Sequence, residues 1–308
     1  MVKLKKIEHY IDKFEYIFYH KGMKCNICPR KCNIDRSKFK GFCLETDLRI
    51  SKVMMHHYEE PIISGTQKDV GSGAIFFTGC NLKCVYCQNE PISHLGKGEN
   101  ITINNLVEII KDLENKGALN INLVTPTHFT NQIIQALKIY KPKIPIVWNS
   151  SGYETQETIA KLKNYIDIYL VDLKYMDNCL AMKYSKANNY VENATNSILQ
   201  MRKNQPKDVI ENGLMKKGLI VRHLILPNNT SDSLKCLDFI ADNLGVDTVV
   251  SLMSQYEPRY NAVNYSEINR RITPLEYKRV VNHALKLNML NCYTQDLSSA
   301  NSIYTPKF

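Results

Sequence analysis

Three thiols stand at Cys80, Cys84 and Cys87, in a Cys-x3-Cys-x2-Cys spacing that follows the apolar run from Gly73 to Thr78. Thiolates are the usual ligands of iron–sulfur clusters, and a [4Fe–4S] cluster has four irons. Three cysteines therefore leave one iron for a ligand that is not protein, and that open iron is where chemistry can occur. A second set, Cys25, Cys28, Cys32 and Cys43, is spaced Cys-x2-Cys-x3-Cys-x10-Cys. Four thiolates this close complete a coordination shell without help, as structural zinc or as an auxiliary iron–sulfur cluster. Their spacing does not choose the metal.

The elements that must position these groups are legible in the hydrophobic pattern. After Gly71, short apolar runs alternate with amphipathic segments. The runs are Gly73 to Thr78, Ile121 to Val124, Ile144 to Trp148, Ile166 to Leu173, Gly218 to Leu226 and Thr248 to Met253. Helical periodicity covers 101–117, 130–140, 155–163, 178–203, 233–243 and 274–287. Strands so continuously apolar are buried on both faces, as in parallel sheets covered by helices. A closed eight-unit barrel takes about 250 residues. Six units in the remaining chain predict an α/β fold, a partial (β/α)6 TIM-like barrel, with a doubly wound open sheet as the fallback. In either case ligands bind at the carboxyl ends of the strands, where the loop of Cys80, Cys84 and Cys87 lies. Residues 1–70 lack this alternation and read as an N-terminal Cys-rich, metal-binding segment, leaving 71–308 as the barrel.

Composition narrows the setting. Seven of the ten cysteines fall in the two clusters. No run reaches 18 apolar residues and the lysine-rich N-terminus carries no secretory pattern, so a cytoplasmic protein with metal-bound thiols is expected. Cys179, Cys236 and Cys292 read as small buried hydrophobes. The formal charge of +10 is spread along the chain rather than gathered in one basic run. This argues against direct nucleic-acid function and for an acidic electron-carrier partner. His128 is a candidate acid or base, though a histidine that begins a helix serves more often as a cap or surface residue. Adjacent His56 and His57 point to opposite sides of an extended segment and so do not form a metal pair.

The run Gly79-Cys80-Asn81-Leu82-Lys83-Cys84-Val85-Tyr86-Cys87 resembles the signature loop of radical S-adenosylmethionine (SAM) enzymes. Further matches occur at Cys25 to Cys32, Pro61 to Thr66, Asn122 to His128, Asp172 to Asp177, Val221 to Leu224 and Ser251 to Tyr256. Together they resemble, over nearly the whole chain, the branch labelled as pyruvate formate-lyase activating enzymes. That resemblance implies a [4Fe–4S] cluster on Cys80, Cys84 and Cys87, with SAM chelating the open iron. Reductive cleavage would then give a 5′-deoxyadenosyl radical that abstracts hydrogen. It further implies Tyr86 near the adenine, Asp172 and Lys174 at the methionine end, Arg222 near the cofactor, and Asn149 and Ser150 approaching it. Thr125 stands where related enzymes carry a Gly-Gly-Glu-Pro-like element, and its carbonyl or hydroxyl takes that task by implication.

Two departures qualify the branch: Thr125-Pro126-Thr127-His128 replaces the glycine-rich element, and the extra cysteines precede the signature loop instead of following it. The expected activities are installation of a glycyl radical on a large partner enzyme, or radical modification of a peptide, RNA or small molecule. A non-catalytic iron–sulfur protein is the remote third reading. The expected electron donor is an acidic protein such as flavodoxin or ferredoxin.

Overall fold

The computed structural model describes residues 24–57, 60–66 and 70–295. Its element order begins with strand β1 (Arg49–His56), the short helix α1 (Pro61–Ser64) and β2 (Ser72–Phe77). Next come α2 (Glu90–Ser93), β3 (Glu99–Asn100), α3 (Ile103–Asn115), β4 (Ile121–Val124) and α4 (Thr130–Ile139). The middle of the chain forms β5 (Ile146–Ser150), α5 (Gln156–Lys161), β6 (Ile168–Asp172), α6 (Asn178–Ser185) and α7 (Tyr190–Asn204). The hairpin β7 (Val209–Glu211) and β8 (Leu214–Leu224) precedes α8 (Thr230–Leu244), β9 (Val249–Met253), α9 (Pro274–Lys286) and β10 (Cys292–Thr294).

The sheet order is β10-β9-β8-β6-β5-β4-β2-β1-β3, with β7 paired to β8 outside this path. From β2 to β10 every neighbour in that path is parallel, and β1 and β3 add an antiparallel flank. Among the described residues β10 and β3 end the sheet without pairing to each other, so the sheet is open. It is also curled. Six adjacent strands laid flat would span about 24 Å, at about 4.8 Å per gap. Yet one cavity of about 250 Å³ is lined from all six, by Phe76, Val124, Asn149, Asp172, Arg222 and Met253. The six expected units are present and the fold is the partial barrel that the alternation predicts.

Alternation along each strand divides labour. Outward residues such as Trp148, Tyr169 and Leu219 join the main core under the helices. Inward residues are apolar at the amino ends, where Val147, Ile168, Leu170, Ile220 and Val249 meet Ile62 and Ile63 of α1. This closes the barrel floor. One register step further along each strand the inward residues become Asn149, Asp172 and Arg222. The barrel is thus dry at the bottom and charged at the top.

Three differences from the sequence pattern have physical causes. Residues 49–56 form β1 and pair with β2, although they lie in the segment expected to be Cys-rich. Seven of these eight positions are half-buried, which blurs the hydrophobic alternation. The single helix expected over 178–203 is two helices, broken where Lys186 (φ 54°) and Asn189 (φ 48°) adopt left-handed conformations. The bond from the Lys186 N–H to Met182 O, with Lys186 left-handed, closes α6 in an αL-type cap, and the Ala187 N–H adds a bond to Ala181 O. Finally, Cys179 is exposed rather than buried, whereas Cys236 is buried as expected.

Candidate active site

The signature loop is built before any ligand arrives. Gly79 enters it at φ 72°, and the Leu82 amide donates to Cys80 Sγ at 3.3 Å. The break after α6 explains the rest of its shape. Ser185 and Tyr184 are freed from the helix ladder and accept from the Lys83 and Val85 amides at 3.0 and 2.8 Å. The Ser185 hydroxyl donates to Cys84 Sγ at 3.1 Å, and Ser93 Oγ lies 3.1 Å from Cys87 Sγ. Hydrogen bonds to sulfur tune iron–sulfur sites, so Ser93 and Ser185 are site residues that sequence reasoning missed. Burial pushes the Cys80 thiol up to about 11 and Cys87 to about 12, and raises Cys84. A bound metal would deprotonate all three.

The expected cofactor residues converge on the cavity that these cysteines line. Tyr86, Thr125, Asn149, Ser150, Asp172, Lys174 and Arg222 all face it. At its centre the Asp172 carboxylate accepts from Lys174 Nζ at 2.7 Å and from Arg222 Nε at 2.8 Å. Arg222 Nη2 also donates to Asn149 Oδ1 at 2.6 Å. Burial would raise Asp172, but the Arg222 and Lys174 charges hold it below the usual carboxylate range. Burial would lower Lys174, but Asp172 and the Cys84 sulfur hold it above its ordinary value. Lys174 and Arg222 thus share the Asp172 carboxylate beside the thiols. A three-thiolate cluster or an anionic ligand group would suit two cations placed there.

The remaining expected residues are partly committed elsewhere. Ser150 Oγ donates to the buried Glu154, which also accepts from Trp148 Nε1 and Thr127 Oγ1 at 2.7 and 2.8 Å. Tyr86 OH lies 2.5 Å from Tyr175 OH, which in turn lies 2.8 Å from Ser185 Oγ. The Tyr86 hydroxyl thus points toward the Cys84 side while its ring lines the cavity. Thr125 sits at φ 59°, a strained conformation for a β-branched residue, with its amide on Asn149 O at 2.9 Å. Phe76, Leu224, Met253 and Gln255 also line the cavity, the last three within the matching runs Val221 to Leu224 and Ser251 to Tyr256. The adjacent histidines diverge as expected: His56 reaches the cavity through β1, while His57 Nδ1 lies 3.1 Å from Val70 O.

His128 is buried, not a surface cap. Its Nε2 lies 2.6 Å from Thr78 O, and Arg36 donates to its carbonyl. Burial, then Arg36, pushes its pKa down to about 3, and burial pushes His223 down to about 4. Both ought to be protonated near pH 6.5 once unfolded, so the unfolded chain binds more protons below that pH. Stability is expected to fall as pH drops from 6.5 toward 4, by up to about 2 kcal/mol per histidine at pH 5. Urea midpoints at pH 7 and pH 5 measure this, and equal midpoints would refute it. Asp172 cannot cause that loss: its folded value is depressed, so its contribution persists above about pH 4 and disappears only below.

The N-terminal cysteines lie against the same loop. Cys28 feels the charges of Cys25, Cys32 and Cys43, and Cys43 those of Cys25 and Cys32. Among the described residues no three His, Cys, Asp or Glu groups are gathered tightly enough to grip one metal ion. A cubane spreads its thiolates over separate irons, so this does not bear on a cluster. A Cβ added to Gly79 would fall on the Cys43 carbonyl oxygen and within 2.6 Å of Glu45 Cγ. Gly79→Ala is therefore expected to cost about 1–3 kcal/mol from backbone conformation alone, with the collision in addition. The thermal midpoint should fall by several degrees and residues 24–45 should become protease-sensitive. An unchanged midpoint would show that this contact is not close.

The loop of Cys80, Cys84 and Cys87 falls within a region that matches a known family. The family model described as Radical SAM superfamily matches residues 74–223. An uncharacterized protein of Methanocaldococcus jannaschii is 33% identical over 274 residues, covering 86% of this chain and 75% of that protein. The chain belongs to the radical SAM superfamily. Streptococcus suis SuiB, in a structure bound to SAM, is similar at a TM-score of 0.48 and 15% identity, over 70% of this chain and 47% of that one. Methylornithine synthase (PylB) is similar at 0.47 and 13%, over 70% and 68%. The chain thus spans under half of SuiB. Membership implies an enzyme with a [4Fe–4S] cluster and SAM, and the three thiols beside a charged cavity suit both. Among the described residues no helix is long and apolar enough to cross a membrane.

Proposed function

We propose that this enzyme makes a 5′-deoxyadenosyl radical and uses it to install a glycyl radical on a large partner enzyme. The observation that carries the reading is one chamber, at the carboxyl ends of the strands, lined by Cys80, Cys84, Cys87 and the Asp172–Lys174–Arg222 network. When bound, the [4Fe–4S] cluster supplies the electron that breaks the S–C5′ bond of SAM.

The chain's own residues do the positioning. Cys80, Cys84 and Cys87 would hold the cluster, with Ser185 bonded to Cys84 Sγ and Ser93 to Cys87 Sγ. Lys174 and Arg222 attract the methionine carboxylate, and Asp172 fixes both cations so that neither swings away. Asn149 orients Arg222, while Thr125, Ser150 and the Tyr86 ring complete the walls that touch the cofactor. The apolar floor keeps water out from below, which protects a reactive radical. The open side of the sheet suits a partner's loop approaching the chamber. Electrons are proposed to come from an acidic carrier such as flavodoxin or ferredoxin, in keeping with the charge of +10. The thiol content supports a cytoplasmic setting. The N-terminal cysteines are proposed as a second metal centre in a segment covering 1–70.

The test is to incubate reduced enzyme and SAM with anaerobic host extract. A stable glycine-centred signal by electron paramagnetic resonance is expected. Its absence, together with deuterium moving from a labelled peptide, RNA or small molecule into 5′-deoxyadenosine, would replace the glycyl reading with direct modification of that substrate.

A further inference from the structure

We propose that Glu154 is a positioning residue for SAM, whose buried carboxylate holds the turn after β5 and the loop after β4 in the shape of the cofactor wall. The proposal rests on the placement of the cofactor proposed above, and three observations carry it.

First, Glu154 ties two loops together from behind. It is fully buried and accepts from Thr127 Oγ1 at 2.8 Å, Trp148 Nε1 at 2.7 Å and Ser150 Oγ at 2.9 Å. Trp148 belongs to the main core, whereas Ser150 lines the chamber and Thr127 lies two residues beyond Thr125, which also lines it. Glu154 itself does not line the chamber. Its effect on SAM therefore passes through the groups that it holds.

Second, one of the segments it holds is under strain. Thr125 has φ 59°, a left-handed conformation that a β-branched residue keeps only where its neighbours enforce it. Its amide donates to Asn149 O at 2.9 Å, and Thr127, on the other side of Pro126, is fastened to Glu154. Thr125 is thus clamped from both sides. Without the Glu154 anchor this segment is free to relax toward ordinary backbone, and the wall moves with it.

Third, the turn that carries Glu154 touches the rest of the cofactor site. Asn81 Nδ2 of the signature loop donates to Tyr153 O at 2.5 Å. Tyr190 OH lies 2.9 Å from Ser151 O and 3.1 Å from Asp172 O, and it accepts from the Lys174 amide at 2.9 Å. The signature loop, the loop after β4 and the carboxyl end of β6 therefore meet at residues 151–154. A carboxylate suits this junction, because it accepts several bonds at once and makes each stronger than a neutral acceptor would.

The experiment compares Glu154→Gln and Thr127→Val with Val280→Ala in the anaerobically reconstituted full chain. Val280 is buried in α9 and does not line the chamber, so its truncation reports loss of stability alone. Glu154→Gln replaces an acceptor oxygen by an amide nitrogen that only donates, and Thr127→Val removes one hydroxyl at nearly constant shape. Each is expected to raise the Kd of SAM about tenfold in equilibrium dialysis, the worth of one hydrogen bond to a charged group. 5′-Deoxyadenosine formed with dithionite at saturating SAM should stay within about twofold of wild type, so that KM moves and kcat does not. In protein without SAM, amide exchange across residues 124–129 should quicken in both variants. Val280→Ala should lose several degrees of thermal midpoint yet keep wild-type SAM affinity and exchange across 124–129. A Glu154 that only stabilises the fold predicts instead that SAM affinity follows the thermal midpoint in all three variants. That outcome, or an unchanged Kd in Glu154→Gln and Thr127→Val, would overturn the proposal. Should Glu154→Gln fail to fold, Thr127→Val decides the matter. Every readout works without a partner enzyme, so wild-type protein that binds and cleaves SAM but raises no glycyl signal would strike the proposed function alone.

Discussion

Cys84→Ala is expected to abolish reductive cleavage of SAM, by at least about a hundredfold, the upper end of what loss of a mere outer-shell partner costs a metal site. Cys84 is the middle thiol of the triplet and the one best supported. It accepts from Ser185 and adds to the charge felt by Lys174. Removing it takes away one of only three protein ligands, whereas the four N-terminal cysteines lose nothing. The iron content should therefore fall by the amount of one cluster, and any signal from the N-terminal centre should persist. 5′-Deoxyadenosine formed over time, measured beside iron content, checks the result. Retained cleavage with the iron of one cluster missing would mean that this loop does not hold the reactive cluster.

Asp172→Asn should be the most destabilising single change in the cavity. The carboxylate bridges Lys174 and Arg222, and the three side chains are only 14–16% exposed. Neutralising it takes from Lys174 and Arg222 the carboxylate that they share. Breaking such a buried arrangement from one side costs about 3–5 kcal/mol. For a chain of this size that corresponds to a drop of about 10 °C in the thermal midpoint. The variant should recover part of its stability when SAM binds, because the methionine carboxylate would replace the lost charge. Asp172→Asn with Arg222→Gln should be less harmful than the sum of the single changes. Additive losses in a double-mutant cycle would show that the two residues do not act as one unit.

Much of this arrangement is legible before any coordinates. The parallel strands announce themselves because residues such as Ile168 to Val171 are apolar on both faces, and the thiol triplet follows the first of them by position alone. Asp172 and Lys174 can be paired from strand geometry, since alternate residues share a face. What escapes the sequence depends on long-range contact or on unusual backbone. The break after α6 uses Lys186 in a left-handed conformation that glycine normally marks, and only the Asn188-Asn189 pair hints at it, since asparagine enters that region more readily than other side chains. Ser185 then reaches Cys84 across 101 positions of chain. His56 enters the cavity only because β1 pairs with β2, and β1 is too evenly half-buried to betray its register. Glu154 looks like a surface acid in sequence and becomes the buried acceptor of three side-chain donors only when Trp148, Thr127 and Ser150 meet around it.

The apolar floor formed by Ile62, Ile63 and the amino-terminal halves of β5, β6, β8 and β9 closes the chamber, among the described residues, at the amino ends of the strands. A vessel closed at its base imposes a queue. Whatever lies deepest must enter first and leave last, and a bulky partner seated over the mouth traps what is beneath it. Binding should therefore be ordered, with SAM ahead of the partner. Spent methionine and 5′-deoxyadenosine should be exchanged only after the partner lifts away, so the residence time of the partner, rather than bond cleavage, would set the pace of repeated turnover.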